Sequence, residues 1–122
     1  MGYHNIDPNE LPAMEDRSAT ARSITDFADL NNIGIRTYEA APGEKLPLAY
    51  HYHEEQEEAF FVIDGELHIE TPEGEFVTKA GNVFVAEPGS PHRAYNPDDA
   101  SDSVEVLALG APSVDDAAVY EP

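Results

Sequence analysis

Three of the five histidines fall in two short segments, His51-Tyr52-His53 followed by Glu58, and a second segment that ends on His92. In a β-strand, residues i and i+2 share a face with Cα atoms roughly 6.5–7 Å apart, so two imidazoles can converge on one ion about 2.1 Å away. His51 and His53 meet that condition, and a third nitrogen from His92 with a carboxylate from Glu58 completes a four-ligand set. These residues are far apart along the chain, so a closed sheet is needed to bring them together.

The rest of the sequence supports such a sheet. In 122 residues there is room for one domain, and ten prolines and eight glycines punctuate short runs of Val, Ile, Phe and Tyr at intervals typical of an all-β sandwich or barrel. Cysteine is absent, which excludes disulfides and thiolate metal ligands. Residues 1–32 read as an irregular arm with an edge strand near 20–25 and a helical turn over 26–30, residues 33–110 as the barrel, and residues 111–122 as an acidic tail. Strands are expected over 33–39, 48–53, 58–63, 66–70, 76–78, 83–86, 92–96 and 104–109. In the first of these, Ile33, Ile35 and Thr37 form the apolar face, which turns Arg36 away from the interior and disfavours phosphate-rich ligands. Over 58–63, both faces are apolar: Phe60 and Val62 with Glu58 on one, Ala59, Phe61 and Ile63 on the other. One face lines the barrel and the other suits a second sheet or a partner subunit, so a homodimer is expected.

Strand parity requires an irregular stretch over Glu54–Glu57, because an unbroken strand would place Glu57, not Glu58, beside the histidines. Glu57 stays the alternative carboxylate. His68 lies on the acidic, wet face of its strand and is not expected to bind metal. Phe60, Val62 and Ala94 furnish an apolar wall on the metal-facing side, which points to a small organic ligand. Tyr38, Tyr50 and Asn96 could move protons, but each has an ordinary structural use, and no catalytic residue is assigned.

The two histidine segments resemble the two signature motifs of the cupin superfamily, small jelly-roll barrels also described as double-stranded β-helices. Gly43, His51, His53, Glu58 and Gly65 fill the first motif, with a spacer after Gly43 two residues longer than usual. Gly81, Gly89, His92 and Asn96 fill the second, with Glu87 at its proline position and Pro88 directly after. The resemblance covers roughly residues 33–110. It implies His51, His53, Glu58 and His92 as ligands of one divalent transition metal ion per chain, in agreement with the geometric reading. A sulfur-free set of this kind suits Fe, Mn, Ni, Co or Zn. Up to two positions would stay open on a six-coordinate ion, enough for dioxygenase, isomerase or lyase chemistry or for a non-catalytic sensor or storage barrel.

Charge narrows the partners. Twenty-five acidic residues face six Lys and Arg, a formal net charge of −19, which repels nucleic acid. The acids are spread along the whole chain, so the surface as a whole is acidic. Self-repulsion of this size destabilises a compact state in dilute buffer, and molar salt, with a screening length of about 3 Å, removes most of it. A halophilic host is therefore expected. With no long apolar stretch and an acidic N-terminus, neither a secretory signal nor a membrane span is expected, and the cytoplasm is the default location.

Overall fold

A computed structural model describes residues 2–46 and 49–122. The chain forms ten strands: β1 (Thr20–Ser23), β2 (Gly34–Ala40), β3 (His51–His53), β4 (Glu57–Asp64), β5 (Glu66–Thr71), β6 (Gly74–Lys79), β7 (Val83–Ala86), β8 (Arg93–Tyr95), β9 (Val104–Ala111) and β10 (Ala117–Val119). A short helix, α1 (Ile24–Ala28), follows β1; Ser23 caps it by accepting from the Asp26 N–H, and Asp29 ends it in the left-handed conformation. Part of the strand expected over 48–53 falls on Leu48, outside the described residues, and regular pairing begins at His51.

The strands form an antiparallel jelly roll. One sheet runs β1-β2-β9-β4-β7; the opposing layer consists of a three-stranded sheet, β6-β5-β8, and a two-stranded sheet, β10-β3. An isolated bridge between His51 and His92 joins these two pieces, with His92 N–H donating to His51 O at 2.9 Å and His51 N–H to His92 O at 3.2 Å. The segments that carry the histidines are thus tied together by backbone. Residues 111–122 do more than trail away: Ala117–Val119 add an edge strand to β3.

Between the layers lies a core of Ala40, Leu46, Phe60, Val62, Leu67, Ile69, Ala94, Val104, Val106 and Ala108. The β4–β5 turn depends on Gly65, whose φ of +82° suits glycine and whose added Cβ would lie 2.7 Å from Ser103 O. Asn96 is buried and donates from Nδ2 to the carbonyls of Ala40 and Asp102 at 3.0 and 2.9 Å. Its role is to pin loops.

The expected facing of β2 is inverted. Gly34, Arg36, Tyr38 and Ala40 pair in register with Gly110, Ala108, Val106 and Val104, all four of which are buried. Arg36 and Tyr38 therefore face the interior, and Ile35 and Thr37 face outward with Leu109 and Leu107. The alternation misleads because the outer face of this sheet is apolar too. Val62 also departs from expectation: it is fully buried in the core beneath the cavity and does not line it, whereas Phe60 and Ala94 do.

Candidate metal centre

A cavity of about 620 Å³ opens between the layers, with His51 and His53 from β3, Glu58 and Phe60 from β4, and His92 and Ala94 at β8 on its walls. β3 ends at His53 and β4 starts at Glu57, so the acidic stretch between them is irregular, as strand parity requires. In this way the chain passes from one sheet to the other, and Glu58 faces the histidines across the cavity. Glu57 is exposed. Gly110 lies beside Glu58 in register, and an added Cβ there would come within 2.7 Å of the Gln56 side-chain amide, which would have to move aside.

The hydrogen bonds fix the histidine tautomers. Nδ1 of His51 meets Ala49 O at 3.0 Å, Nδ1 of His92 meets Ser90 O at 2.9 Å, and Nδ1 of His53 meets Asp116 Oδ1 at 2.8 Å. All three partners only accept, so each Nδ1 carries a proton, and in the neutral ring Nε2 is left with the lone pair a metal ion needs. The Nε2 atoms lie 4.0, 3.0 and 2.9 Å from Glu58 Oε1 for His51, His53 and His92. A neutral imidazole has one N–H, so a ring that faces an acceptor oxygen at both nitrogens is satisfied either by a second proton or by a cation at the shared centre. The His53 Nε2 is buried and, although close to Glu58, makes no aligned hydrogen bond. An orphaned nitrogen of this kind fits a metal ion.

Ligand atoms of His51, Glu58 and His92 all lie within 4.8 Å of one another, placed to bind a metal ion. Electrostatics favours the ligating forms of Glu58 and His51. Burial alone would raise the Glu58 carboxyl, but His53 and His92 outweigh it and hold the pKa at about 2, so the carboxylate is charged. Burial pushes His51 down and keeps its Nε2 unprotonated. Contact with Glu58, more than any other neighbour, pushes His53 up. His68 is elsewhere, on the outer face of β5, paired with Glu75 at 2.9 Å.

Two features escape a reading of the sequence. Asp116, just before β10, accepts from the Glu55 and Gln56 N–H groups through Oδ2 at 2.7 and 3.0 Å while Oδ1 holds His53. Slight burial would raise its carboxyl, but those N–H groups and His53 prevail and lower it. One carboxylate thus orients a histidine and fastens the β3–β4 connection. Its only sequence signal is an acid next to a short alternating run at the chain end. The other feature is a basic flank, where Arg17, Arg36 and Tyr38 line the cavity.

Comparison with known proteins agrees with this architecture. Among curated proteins, none matches the sequence. A polyketide cyclase from Streptomyces resistomycificus superposes with a TM-score of 0.80 at 16% identity, covering 99% of this chain and 87% of that one. An uncharacterised protein with a double-stranded β-helix domain from Klebsiella pneumoniae gives 0.76 at 21%, covering 97% and 92%. A sugar phosphate isomerase of the cupin superfamily from Silicibacter pomeroyi gives 0.76 at 20%, covering 88% and 75%. The chain spans 58% of the length of a further similar structure from Acidithiobacillus ferrooxidans. At these identities the likeness is one of fold. The family model of the cupin domain matches residues 36–109, a span that holds all three cavity histidines and Glu58, and on that match the chain belongs to the cupin family.

Proposed function

We propose that this protein binds one divalent transition metal ion through His51, His53, His92 and Glu58 and uses it to act on a small organic molecule. The observation that carries this reading is the set of three imidazoles whose Nδ1 atoms are all committed to acceptors while their Nε2 atoms turn towards one partly buried carboxylate. Fe, Mn, Ni, Co and Zn suit three nitrogens and an oxygen. Such an ion supplies Lewis-acid polarisation, and with iron or manganese redox chemistry, at any position the protein leaves open. The chain's own part is to hold the donors in the right tautomers and to exclude bulk water with Phe60 and Ala94. Dioxygenase, isomerase and lyase activities are the classes to assay.

A non-catalytic ligand- or metal-binding barrel is the second reading, supported by the scarcity of free acid or base groups. Apart from the proposed ligands, the titratable side chains on the cavity wall are Arg17, Arg36, Tyr38 and, exposed at the rim, Asp115. We further infer a homodimer formed through the outer face of the five-stranded sheet, where Phe61, Ile63, Val83 and Val85 are exposed. A cytoplasmic, salt-adapted protein accords with the net charge of −19. No helix among the described residues is long and apolar enough to cross a membrane.

The test is metal stoichiometry. Stripped protein is reloaded with Zn(II) or Mn(II), desalted and analysed for bound metal. About one ion per chain is expected for the wild type and a small fraction of that for His51→Ala and for His53→Ala. Equal loading of wild type and variants would overturn the proposal, and loss in His51→Ala alone would remove His53 from the ligand set. Turnover abolished by His53→Ala favours the enzyme; thermal stabilisation by a ligand without turnover favours the binder.

A further inference from the structure

The whole chain has four arginines among its 25 acidic residues. Arg93 pairs with Glu70 at 2.9 Å, and Arg22 donates to the Leu11 carbonyl at 3.1 Å. Arg17 and Arg36 have neither a carboxylate within ion-pair distance nor a carbonyl partner among the described residues, and both line the cavity. Arg36 is partly buried, and its one hydrogen bond runs from Nη1 to Tyr38 Oη at 3.4 Å. In a protein with a fourfold excess of acids, two guanidiniums with no carboxylate in ion-pair reach, although Glu58 and Asp115 share the cavity wall with them, are out of keeping with the rest of the molecule. A half-desolvated guanidinium whose one acceptor is a phenol oxygen at 3.4 Å leaves most of its donors unmet, and its planar fork matches a carboxylate or a phosphate.

The register places this flank relative to the proposed metal site. Across the sheet, Arg36 lies beside Ala108, and Ala108 beside Phe60; the next row runs Gly34, Gly110, Glu58. Arg36 therefore stands two strand spacings, about 10 Å, from the strand that carries Glu58. Ala108 and Gly110 have almost no side chain to fill the space between them, and a small molecule can span it.

We propose that the ligand of this cavity is a small organic anion whose carboxylate or phosphate rests on Arg36 and Arg17 while its other end reaches the His and Glu cluster. This deepens the metal-dependent reading and rests on it for the second end of the ligand. Arg36 receives the oxyanion, Tyr38 holds the guanidinium in place, and Arg17, from the N-terminal arm, closes over it. The arm thereby becomes part of the site.

Calorimetric titration of zinc-loaded protein, at one fixed potassium chloride concentration, tests the idea with malonate, inorganic phosphate and the neutral malonamide as probes. At least one anion is expected to bind tenfold or more tightly than malonamide. Arg36→Gln should weaken that anion tenfold or more while bound zinc, measured on the same samples, is retained; Arg36→Lys should recover part of the loss, and Arg17→Gln should lose less. Tighter malonate identifies a carboxylate, and tighter phosphate identifies a phosphate. Malonamide binding as tightly as the anions overturns the proposal, as does unchanged anion affinity in Arg36→Gln and Arg17→Gln. If zinc fails to load, the metal-binding reading falls, and the same titration of metal-free protein still decides the arginines: anion affinity lost in Arg36→Gln upholds the oxyanion site, and no anion binding to the wild type overturns it.

Discussion

Phe60 and Phe61 are neighbours on β4 that face opposite sides of one sheet, and the two sides obey different rules. The inner side carries Arg36, Tyr38 and Glu58 beside Phe60, which is 5% exposed; the outer side carries Phe61, 38% exposed, with Ile63, Val83 and Val85. The inner face holds the charge, and the outer face is the more uniformly apolar. An interior built around a ligand keeps polar groups inside, and an apolar exterior points to a partner. The opposing layer supplies a control, since the outer faces of β5 and β8 present His68, Glu70, Arg93 and Tyr95, as a solvated surface should.

The largest expected effect separates the two phenylalanines. Phe60→Ala empties a packed site among Val62, Ala108 and Phe84 and should cost about 3–5 kcal/mol in urea unfolding. Phe61→Ala should cost about 1 kcal/mol or less in dilute solution but should weaken self-association in sedimentation experiments. Equal losses at low protein concentration would erase the distinction between the faces.

Within the inner face, Glu58→Gln keeps the shape and removes the charge on which three Nε2 atoms converge. Metal affinity should fall by more than about 100-fold, beyond the range usual for outer-shell changes. A competition titration against a chelator reads it directly. Retained affinity would shift the carboxylate role away from Glu58, and Gln56 would be the next residue to test.

Asp116→Ala should weaken metal binding by about 10–100-fold through loss of the hydrogen bond that sets the His53 ring. Asp116→Asn, which can still accept a hydrogen bond, should recover part of that loss. Nitrogen chemical shifts of His53 provide an independent readout, since a mixture of tautomers should replace a single Nδ1-protonated form. A merely structural role for Asp116 would leave those shifts in place.

These cases also show what the sequence made legible. The four proposed ligands stood out because imidazole and carboxylate have few uses at strand spacing between turn signals, and the jelly roll followed from the regular turns. Asp116 was hidden because its partner is His53, brought near only when β10 pairs with β3. Arg36 was misassigned for a different reason. Ile33, Ile35 and Thr37 have the regular alternation of a buried face, but they lie on an apolar outer face while the inner row of β2 carries Arg36 and Tyr38, so the pattern carries the period and not the direction. Gly110 and Ala108 held the missing clue, small residues alternating with Leu107 and Leu109 where a cavity needs room.

The smallest expected effect comes from the histidine that shares the chemistry of the other three and none of their surroundings. His68 Nδ1 contacts Glu75 Oε1 at 2.9 Å with both side chains partly exposed, and Tyr95 Oη donates to the same oxygen at 2.7 Å. Tyr95 foremost, then His68, lowers the Glu75 carboxyl. A carboxyl lowered by folding contributes stability above its unfolded pKa and loses it as pH falls through the lower folded value, so any contribution here vanishes in acid. An exposed pair of this kind is worth less than about 1 kcal/mol. His68→Asn should therefore change stability by no more than that at neutral pH, with the difference from wild type shrinking in acid, and should leave bound metal unchanged. Metal loss in His68→Asn would mean that ions bind histidine anywhere on this acidic surface, and the contrast between inner and outer faces would lose its chemical meaning.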